Sequence, residues 1–571
     1  MPPTLTGVLQ ARIDALGEGE RRALQSAAII GPVFWDDALS QLRAEAAREL
    51  PALVQRGMVQ RRPTSAFEGS VEESFHHHLL HQVSYDTVLP SVRREGHSRA
   101  AAWLADRVGD RAAEYLAVTA DHYERAGDLA RAFDWYQRAA VHASKRYANT
   151  LAELYCQRAL RLPFEPDARL RFALQKTRTR VSDVVGDRVA QQAALDDGWR
   201  IAESLDDDRL RAEVLTQRAL LADRLGDYAG ALPLAESAVL ASERCDDALH
   251  AALAWGEVAW LAIVRRDFER AHSAVQTGLR WARLTAERGK VSSQGMYEVQ
   301  LLLVAVELYG KTHDSAARVR TLSEASLKAR LCGEVRLEAL CEGALADCAL
   351  EHADFAATRL HSDNCLRLGS SIGLLAQSAQ AHNVAASLAL AQGDAARALE
   401  RAEQSMALYL RIGHRVNFAE LRAVKAWALA EAGEHARAQA EWAALEVDFG
   451  ERGEAPSALS ARLRQAEAQA ARGELAPALQ AVLQELPSIT EPGSLDAGVQ
   501  SLATRLAVHK VLAAAGHGQA RAQIELAHAE LMKQVQGLAS LADRERVLSA
   551  VKLHREIVQR WSEGSTVQLA R

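Results

Sequence analysis

Gly393-Asp394-Ala395-Ala396-Arg397-Ala398 decides how this sequence is read. Glycine adopts a left-handed backbone conformation without a Cβ penalty, so it ends a helix. The aspartate beside it can accept hydrogen bonds from the free N–H groups of a following helix and oppose the positive end of that helix's dipole. The alanine four residues after the acid lets the second helix approach the first closely. The stretch therefore predicts a helix, a tight turn and an antiparallel helix. Its acidic position recurs at Asp187, Asp227 and Asp267, then at Asp314, Asp354, Asp394, Glu434 and Glu474, 40 residues apart within each group and 47 between the groups. Glycine precedes the acid at Gly186, Gly226, Gly393, Gly433 and Gly473, and the small residue follows at Ala231, Ala271, Ala398, Ala438 and Ala478. One amphipathic hairpin cannot bury its apolar face alone, so the fixed period implies stacked hairpins. Asp314 and Asp354 lack the glycine, and Arg318 and Thr358 replace the small residue, which predicts an irregular middle of the array.

Composition agrees with an all-α chain. Of 571 residues, 49% are hydrophobic, 25% charged and only 5% aromatic, which favours helices packed through small side chains over sheets. The formal net charge of −6 gives no global attraction to nucleic acid or anionic membranes. Six cysteines (Cys156, Cys245, Cys332, Cys341, Cys348 and Cys365) fall inside helical patterns without a close pair, which predicts buried thiols rather than disulfides or a zinc site. With no secretory leader and no long apolar run, a cytoplasmic location is expected.

The 40-residue units resemble tetratricopeptide repeats in a long form, over about residues 110 to 530. That resemblance implies helix–turn–helix units stacked into a right-handed superhelix with a concave face. Leu162-Pro163-Phe164-Glu165-Pro166 interrupts the helical pattern before the main array, and Leu486-Pro487 to Pro492-Gly493 interrupts it again near the end. Residues 1–90 read differently: short helices, then two segments, residues 57–62 and 70–75, around a Pro-Thr-Ser turn, the pattern of a winged helix. The expected organisation is a winged-helix-like domain over 1–90, connecting helical hairpins over 91–165, the repeat array over 166–486, and helices closing the array over 487–571 with a frayed end from Ser562.

Arg12-Ile13-Asp14-Ala15-Leu16, Glu20-Arg21-Arg22-Ala23-Leu24 and Phe75-His76-His77-His78-Leu79-Leu80-His81 resemble the region just after the ATPase core of bacterial STAND proteins, the signal-transduction ATPases with numerous domains. Some of these regulators carry a nucleotidyl cyclase domain at the front. The resemblance implies that the chain is the sensor and scaffold part of such a protein, and that His77 reaches the phosphates of a nucleotide held by the ATPase domain. His78 stands where the family often has an acid. The chain itself contains no Gly-x-x-x-x-Gly-Lys-Ser/Thr phosphate loop and no strand ending in paired acids, so ATP belongs to the suspected parent protein and no cofactor or catalytic residue is expected here. The family would place a valine before Pro2-Pro3-Thr4-Leu5, so an ATPase or cyclase domain is expected upstream in the same chain or as a separate subunit.

The expected function is thus non-catalytic: a regulatory module that binds a protein, a peptide or a small molecule on the concave face of its repeats. Other uses of the same residues are weaker. His77 and His81 lie one helical turn apart but lack nearby acidic or cysteine ligands for a metal. Arg43, Arg48, Arg56, Arg61 and Arg62 could face DNA phosphates in a winged-helix transcriptional regulator, yet Glu45, Glu49, Glu68, Glu72 and Glu73 dilute their charge. Trp199, Trp255, Trp260, Trp281, Trp427 and Trp442 are candidate anchors for a partner, or repeat core.

Overall fold

The computed structural model describes residues 3–107, 115–287, 295–312, 314–413, 418–451, 454–489, 495, 499–538 and 540–568. Met1-Pro2, Pro492-Gly493 and the last three residues lie outside them. The chain divides into two compact units, Met1–Asp183 with Asp196–Ile201, and Val184–Leu195 with Ala202–Arg571.

The first unit opens with α1 (Pro3–Asp14), α2 (Glu18–Ile30), β1 (Val33–Trp35), α3 (Asp36–Leu42), α4 (Leu50–Gln55), β2 (Val59–Arg61), β3 (Glu72–Phe75) and α5 (His78–Asp86). β2 and β3 form the expected hairpin, pairing antiparallel with Gln60 opposite Ser74. β1 pairs on the other edge of β3, giving the order β1-β3-β2. Sequence reading missed β1, because three residues are too few to show alternation. Beyond them lie α6 (Pro90–Arg107), α7 (Leu116–Ala126), α8 (Leu129–Lys145), α9 (Asn149–Arg161) and α10 (Ala168–Val185). Trp35 joins the sheet to α6: its ring stacks on Trp103 at 5.2 Å, and its indole N–H donates to Glu72 Oε2 at 3.2 Å.

A buried hydrogen-bond chain links α2, α5, α6 and α7. His122 bonds the Ile30 carbonyl, and its Nδ1 lies 2.8 Å from His97 Nδ1. A carbonyl can only accept, so His122 carries its proton on Nε2 and its Nδ1 accepts from His97. His97 Nε2 is then the acceptor for the Tyr85 hydroxyl at 2.7 Å. The phenol oxygen in turn accepts from Arg125, which pairs with Asp121 at 2.9 Å. Every direction in the chain requires two neutral imidazoles. Burial, followed by the repulsion of His122 and Arg125, pushes His97 down to about 3, and burial pushes His122 down to about 4.

α11 (Arg188–Ser204) is shared between the two units, and the second is otherwise built from α12 (Asp208–Arg224), α13 (Tyr228–Arg244), α14 (Ala248–Val264), α15 (Phe268–Glu287), α16 (Met296–Lys311), α17 (Ser315–Cys332) and α18 (Val335–Glu351). It continues with α19 (Phe355–Ser371), α20 (Leu375–Gln392), α21 (Ala395–Arg411), α22 (Phe418–Glu431), α23 (His435–Glu451), α24 (Ala455–Ala471) and α25 (Leu475–Glu485). Last come α26 (Val499–Ala514), α27 (Ala520–Gln536), α28 (Leu541–Ala550) and α29 (Lys552–Gln568). This is the tandem helical-repeat architecture expected from the 40-residue period. α29 continues through Ser562 to Gln568, where the sequence suggested fraying.

The turn chemistry is as read from the sequence. Asp187, Asp227, Asp267, Asp314, Asp354 and Asp394 each cap the second helix of a hairpin, accepting from the N–H three residues on at 2.9–3.1 Å. Glu474 makes no such side-chain cap. Ala231, Ala271, Ala398, Ala438 and Ala478 are all fully buried. The expected irregularity at Asp354 is absent: Ala353 adopts the left-handed conformation itself (φ 52°), and the buried Thr358 hydroxyl donates to the Asp354 carbonyl at 2.8 Å. At Asp314 the cap also forms, and Arg318 is accommodated by pairing with Glu351. Of the cysteines, Cys245 is exposed and Cys332 half-buried, whereas the other four are buried as expected.

The turns joining one hairpin to the next repeat the device. Asp206, Asp246, Gly333, Gly373 and Gly413 have φ of 47–68°, each 20 residues after a turn inside a hairpin. The repeat is therefore two half-units of 20 residues, most of them a 17-residue helix with a three-residue turn. Gly186 is the position where glycine is required twice over. Its φ is +81°, and an added Cβ would collide with Ile412 Cα. Arg188 also donates to the Ile412 carbonyl at 2.9 Å, so the first turn of the array clasps a turn 224 residues further on. Gly186→Val is expected to cost roughly 1–3 kcal/mol through overpacking, with further loss from the left-handed backbone, and an unchanged urea midpoint would refute the contact.

Candidate functional site

His77 is the N-cap residue of α5, with extended backbone (φ −138°, ψ 137°). Its carbonyl accepts from Leu80 and His81 at 3.0 and 3.3 Å, and its side chain is exposed, as are those of His76 and His78. His81 points the other way: Nε2 donates to the Ala28 carbonyl at 2.9 Å, and burial lowers its pKa. The two histidines one turn apart thus do not converge, and among the described residues no group of three or more His, Cys, Asp or Glu side chains is placed to hold a metal.

The arginines considered for DNA are mostly spent inside the fold. Arg61 pairs with the fully buried Glu73 at 3.1 Å, Arg62 with Glu72 at 3.2 Å, Arg56 with Glu20 at 2.8 Å, and Arg48 with Glu45. A phosphate backbone would have to compete with each of these carboxylates.

The tryptophans are core or have partners. Trp442 is buried, Trp260 donates to Asp223 Oδ1 at 2.8 Å, and Trp255 donates to Glu243 at 3.1 Å. Trp199 and Trp281 are half-buried. Trp260 and Trp427 share a register: both stand seven residues before the acid of their turn. The other occupants of that register are Leu220, Glu307, Asp347, Ser387 and Glu467, one on each successive first helix from α12 to α24. Residues three and four apart share a helix face, so these positions and those one turn away make one continuous face. Comparing equivalent positions across the 40-residue period would have found it from sequence.

This face is rich in carboxyls that resist ionisation. Glu257 on α14 is pushed up to about 8 by burial and by the charge of Asp223, against some relief from Arg224. Asp223 is raised to about 6 by burial. On α16 and α18, burial raises Glu307, and burial with the charges of Glu307 and Glu351 raises Asp347 to about 7. Glu307 also feels the charge of Glu420 on α22. From the turn between α18 and α19 onward, the C-terminal helices pack against the array. Ala353, Phe355, Ala391 and Trp427 pack against Leu502, Leu531, Val551 and Ile557 in one apolar cluster. Lys552 pairs with Glu431, Lys510 with Glu467 at 3.4 Å, and Arg464 donates to the Ala503 carbonyl at 3.2 Å.

No protein-family model matches the sequence, and no curated protein matches it either. Among solved structures, the chain is similar to a STAND protein with a tetratricopeptide repeat sensor from Pyrococcus horikoshii, at 12% identity and a TM-score of 0.36, over 84% of this chain and 65% of that one. It is also similar to a Rap protein complexed with competence and sporulation factor (13% identity, TM-score 0.40, 61% of this chain and 99% of that one) and to yeast Tom70 (11%, 0.30, 79% and 96%). No described helix is long and apolar enough to cross a membrane.

Proposed function

We propose that this chain is a non-catalytic interaction module, the sensor and scaffold part of a STAND-type signalling ATPase, which holds a protein or peptide against the first helices of its repeats. The observation that carries this reading is the face of equivalent positions running from α12 to α18, where Glu257, Glu307 and Asp347 are held in a setting that disfavours their charge. A basic segment laid along it would supply the missing counter-charge and let the carboxyls ionise. The C-terminal helices display the same chemistry within the chain, where Lys552 and Lys510 meet Glu431 and Glu467. His77, exposed at the N-cap of α5, is the residue that would reach a nucleotide held by an ATPase domain in cis or in trans.

The test is selection from a random peptide library on the wild-type chain and on the Glu307→Lys, Asp347→Lys double variant. Lysine- and arginine-rich sequences are expected on the wild type and lost on the variant. Recovery of the same sequences from both, or of none enriched in basic residues, would remove the reading.

A further inference from the structure

The second helices α19 and α21 each pack on α20, and a small, solvent-open cleft with about 40 Å³ of room within it lies between them over α20. Its walls carry Arg359 from α19 and Arg397 and Arg401 from α21, with His382 below them on α20. Among the described residues none of these three guanidiniums forms an ion pair, whereas Arg330, Arg422 and Arg437 on nearby helices do. Asp363 is the single carboxylate on the lining, and it too is unpaired.

The hydrogen bonds in the cleft are incomplete in one direction. Arg401 donates to His382 Nδ1 and to Gln404 Oε1, both at 3.3 Å. An imidazole that accepts at Nδ1 carries its hydrogen on Nε2, so His382 presents a donor as well. Burial and the charge of Arg401 lower its pKa, which keeps the ring neutral. Arg401 Nε is buried with no acceptor at all. Ser362, the hydroxyl on the wall, spends its own hydrogen on the Ala381 carbonyl at 3.1 Å. Unmet donors and positive charge thus line the same cleft as the apolar Leu366 of α19 and Ala385 and Leu388 of α20. A buried donor without a partner is costly, and a ligand acceptor removes that cost.

We propose that this cleft binds a carboxylate on a short apolar stem, the chemistry shared by a free short-chain organic acid and the acidic side chain of a partner protein. A guanidinium pair grips the two carboxylate oxygens side by side, and the stem lies on the leucine and alanine side chains. Inorganic phosphate fits less well, because its second charge faces Asp363 and it has nothing to place on the apolar side chains. The site uses none of the residues of the face from α12 to α18, so it stands or falls separately from the function proposed above.

Saturation-transfer NMR with butyrate on the full chain tests it. Transfer to the butyrate methyl is expected with the wild type and should fall at least about five-fold in the Arg359→Ala, Arg397→Ala double variant, where two charge-assisted contacts are gone. Both side chains are exposed, so the fold is kept, and the Arg359→Lys, Arg397→Lys pair should restore part of the signal. Equal transfer in the wild type and the alanine variant would overturn the site. Displacement of butyrate by equimolar phosphate would overturn the ligand class. Competition by the blocked peptide Ala-Glu-Ala supports the proposal, assigning the carboxylate to a protein when it exceeds that of butyrate and to a free acid when it does not. Equal competition by Ala-Gln-Ala would overturn it.

Discussion

Glu257→Gln is expected to stabilise the second unit by roughly 3–5 kcal/mol at about pH 8.5, and by nothing measurable near pH 4.5. Glu257 sits in the middle of α14 with 6% of its surface exposed, and its Oε1 has no hydrogen-bond partner. Burial, with the repulsion of Asp223 and against some relief from Arg224, puts its pKa at about 8. Because this lies above the value in an unfolded chain, the native state holds its proton longer. Stability is then complete in acid and falls as pH rises from the ordinary glutamate range through 8. Glutamine keeps the shape of the protonated acid and has no charge to bury. Urea unfolding of both proteins at the two pH values measures the difference, and an equal shift at both would mean that Glu257 is not the titrating group.

The first unit should respond to acid in the opposite sense. His97 and His122 have pKa values of about 3 and about 4 in the fold, below the ordinary imidazole value, so here the unfolded chain binds protons first. Their contribution is whole above about pH 6.5 and is lost at about 1.4 kcal/mol per histidine for each pH unit below it. Protonating His122 also sets two N–H groups against each other across the 2.8 Å contact, and protonating His97 sets its Nε2–H against the Tyr85 hydroxyl hydrogen. Arg93 and Arg125 oppose the new charge, while Asp121 and the Ile30 carbonyl favour it at His122. Hydrogen exchange, corrected for the intrinsic rate, should show α5, α6 and α7 losing about 2 kcal/mol of protection per histidine between about pH 6.5 and 5. Over the same interval α14 and α18 should gain protection, because Glu257 and Asp347 hold protons in the fold that the unfolded chain binds only at lower pH. Parallel changes in both regions would contradict the two sets of shifts. His97→Gln should roughly halve the slope in the first unit while leaving α14 unaffected.

The array was legible because its turns are written in residues with narrow physical meaning. Gly226-Asp227 and Gly393-Asp394 each combine a left-handed residue with a carboxylate cap, and Ala231 and Ala398 are the small residues such a crossing needs. The second set of turns was missed because its residues share a conformation and no motif. Asp206, Asp246, Gly333 and Gly373 all have positive φ, but the residue after each is Asp207, Asp247, Glu334 or Leu374, with no chemistry common to all four. The histidine chain could not be read at all, since His97 and His122 are 25 residues apart on separate helices and resemble any half-buried polar positions. The cleft of Arg359, His382, Arg397 and Arg401 draws on three helices, and only their packing reveals which arginines remain without an acid.

The bond from Arg188 to the Ile412 carbonyl, with Gly186 seated on the same residue, changes what kind of mechanical object the array is. An open coil of repeats stretches by small rotations at every joint and tolerates one more or one fewer winding. A coil fastened between two points 224 residues apart does neither. Adding or deleting a hairpin between α11 and α21 would carry the Ile412 carbonyl beyond the reach of Arg188, so the number of windings inside the clasp is counted rather than free. A pull applied between α11 and α21 loads that fastening before any helix pair slides, so extension should begin with a single early rupture and only then give the gradual lengthening of a spring.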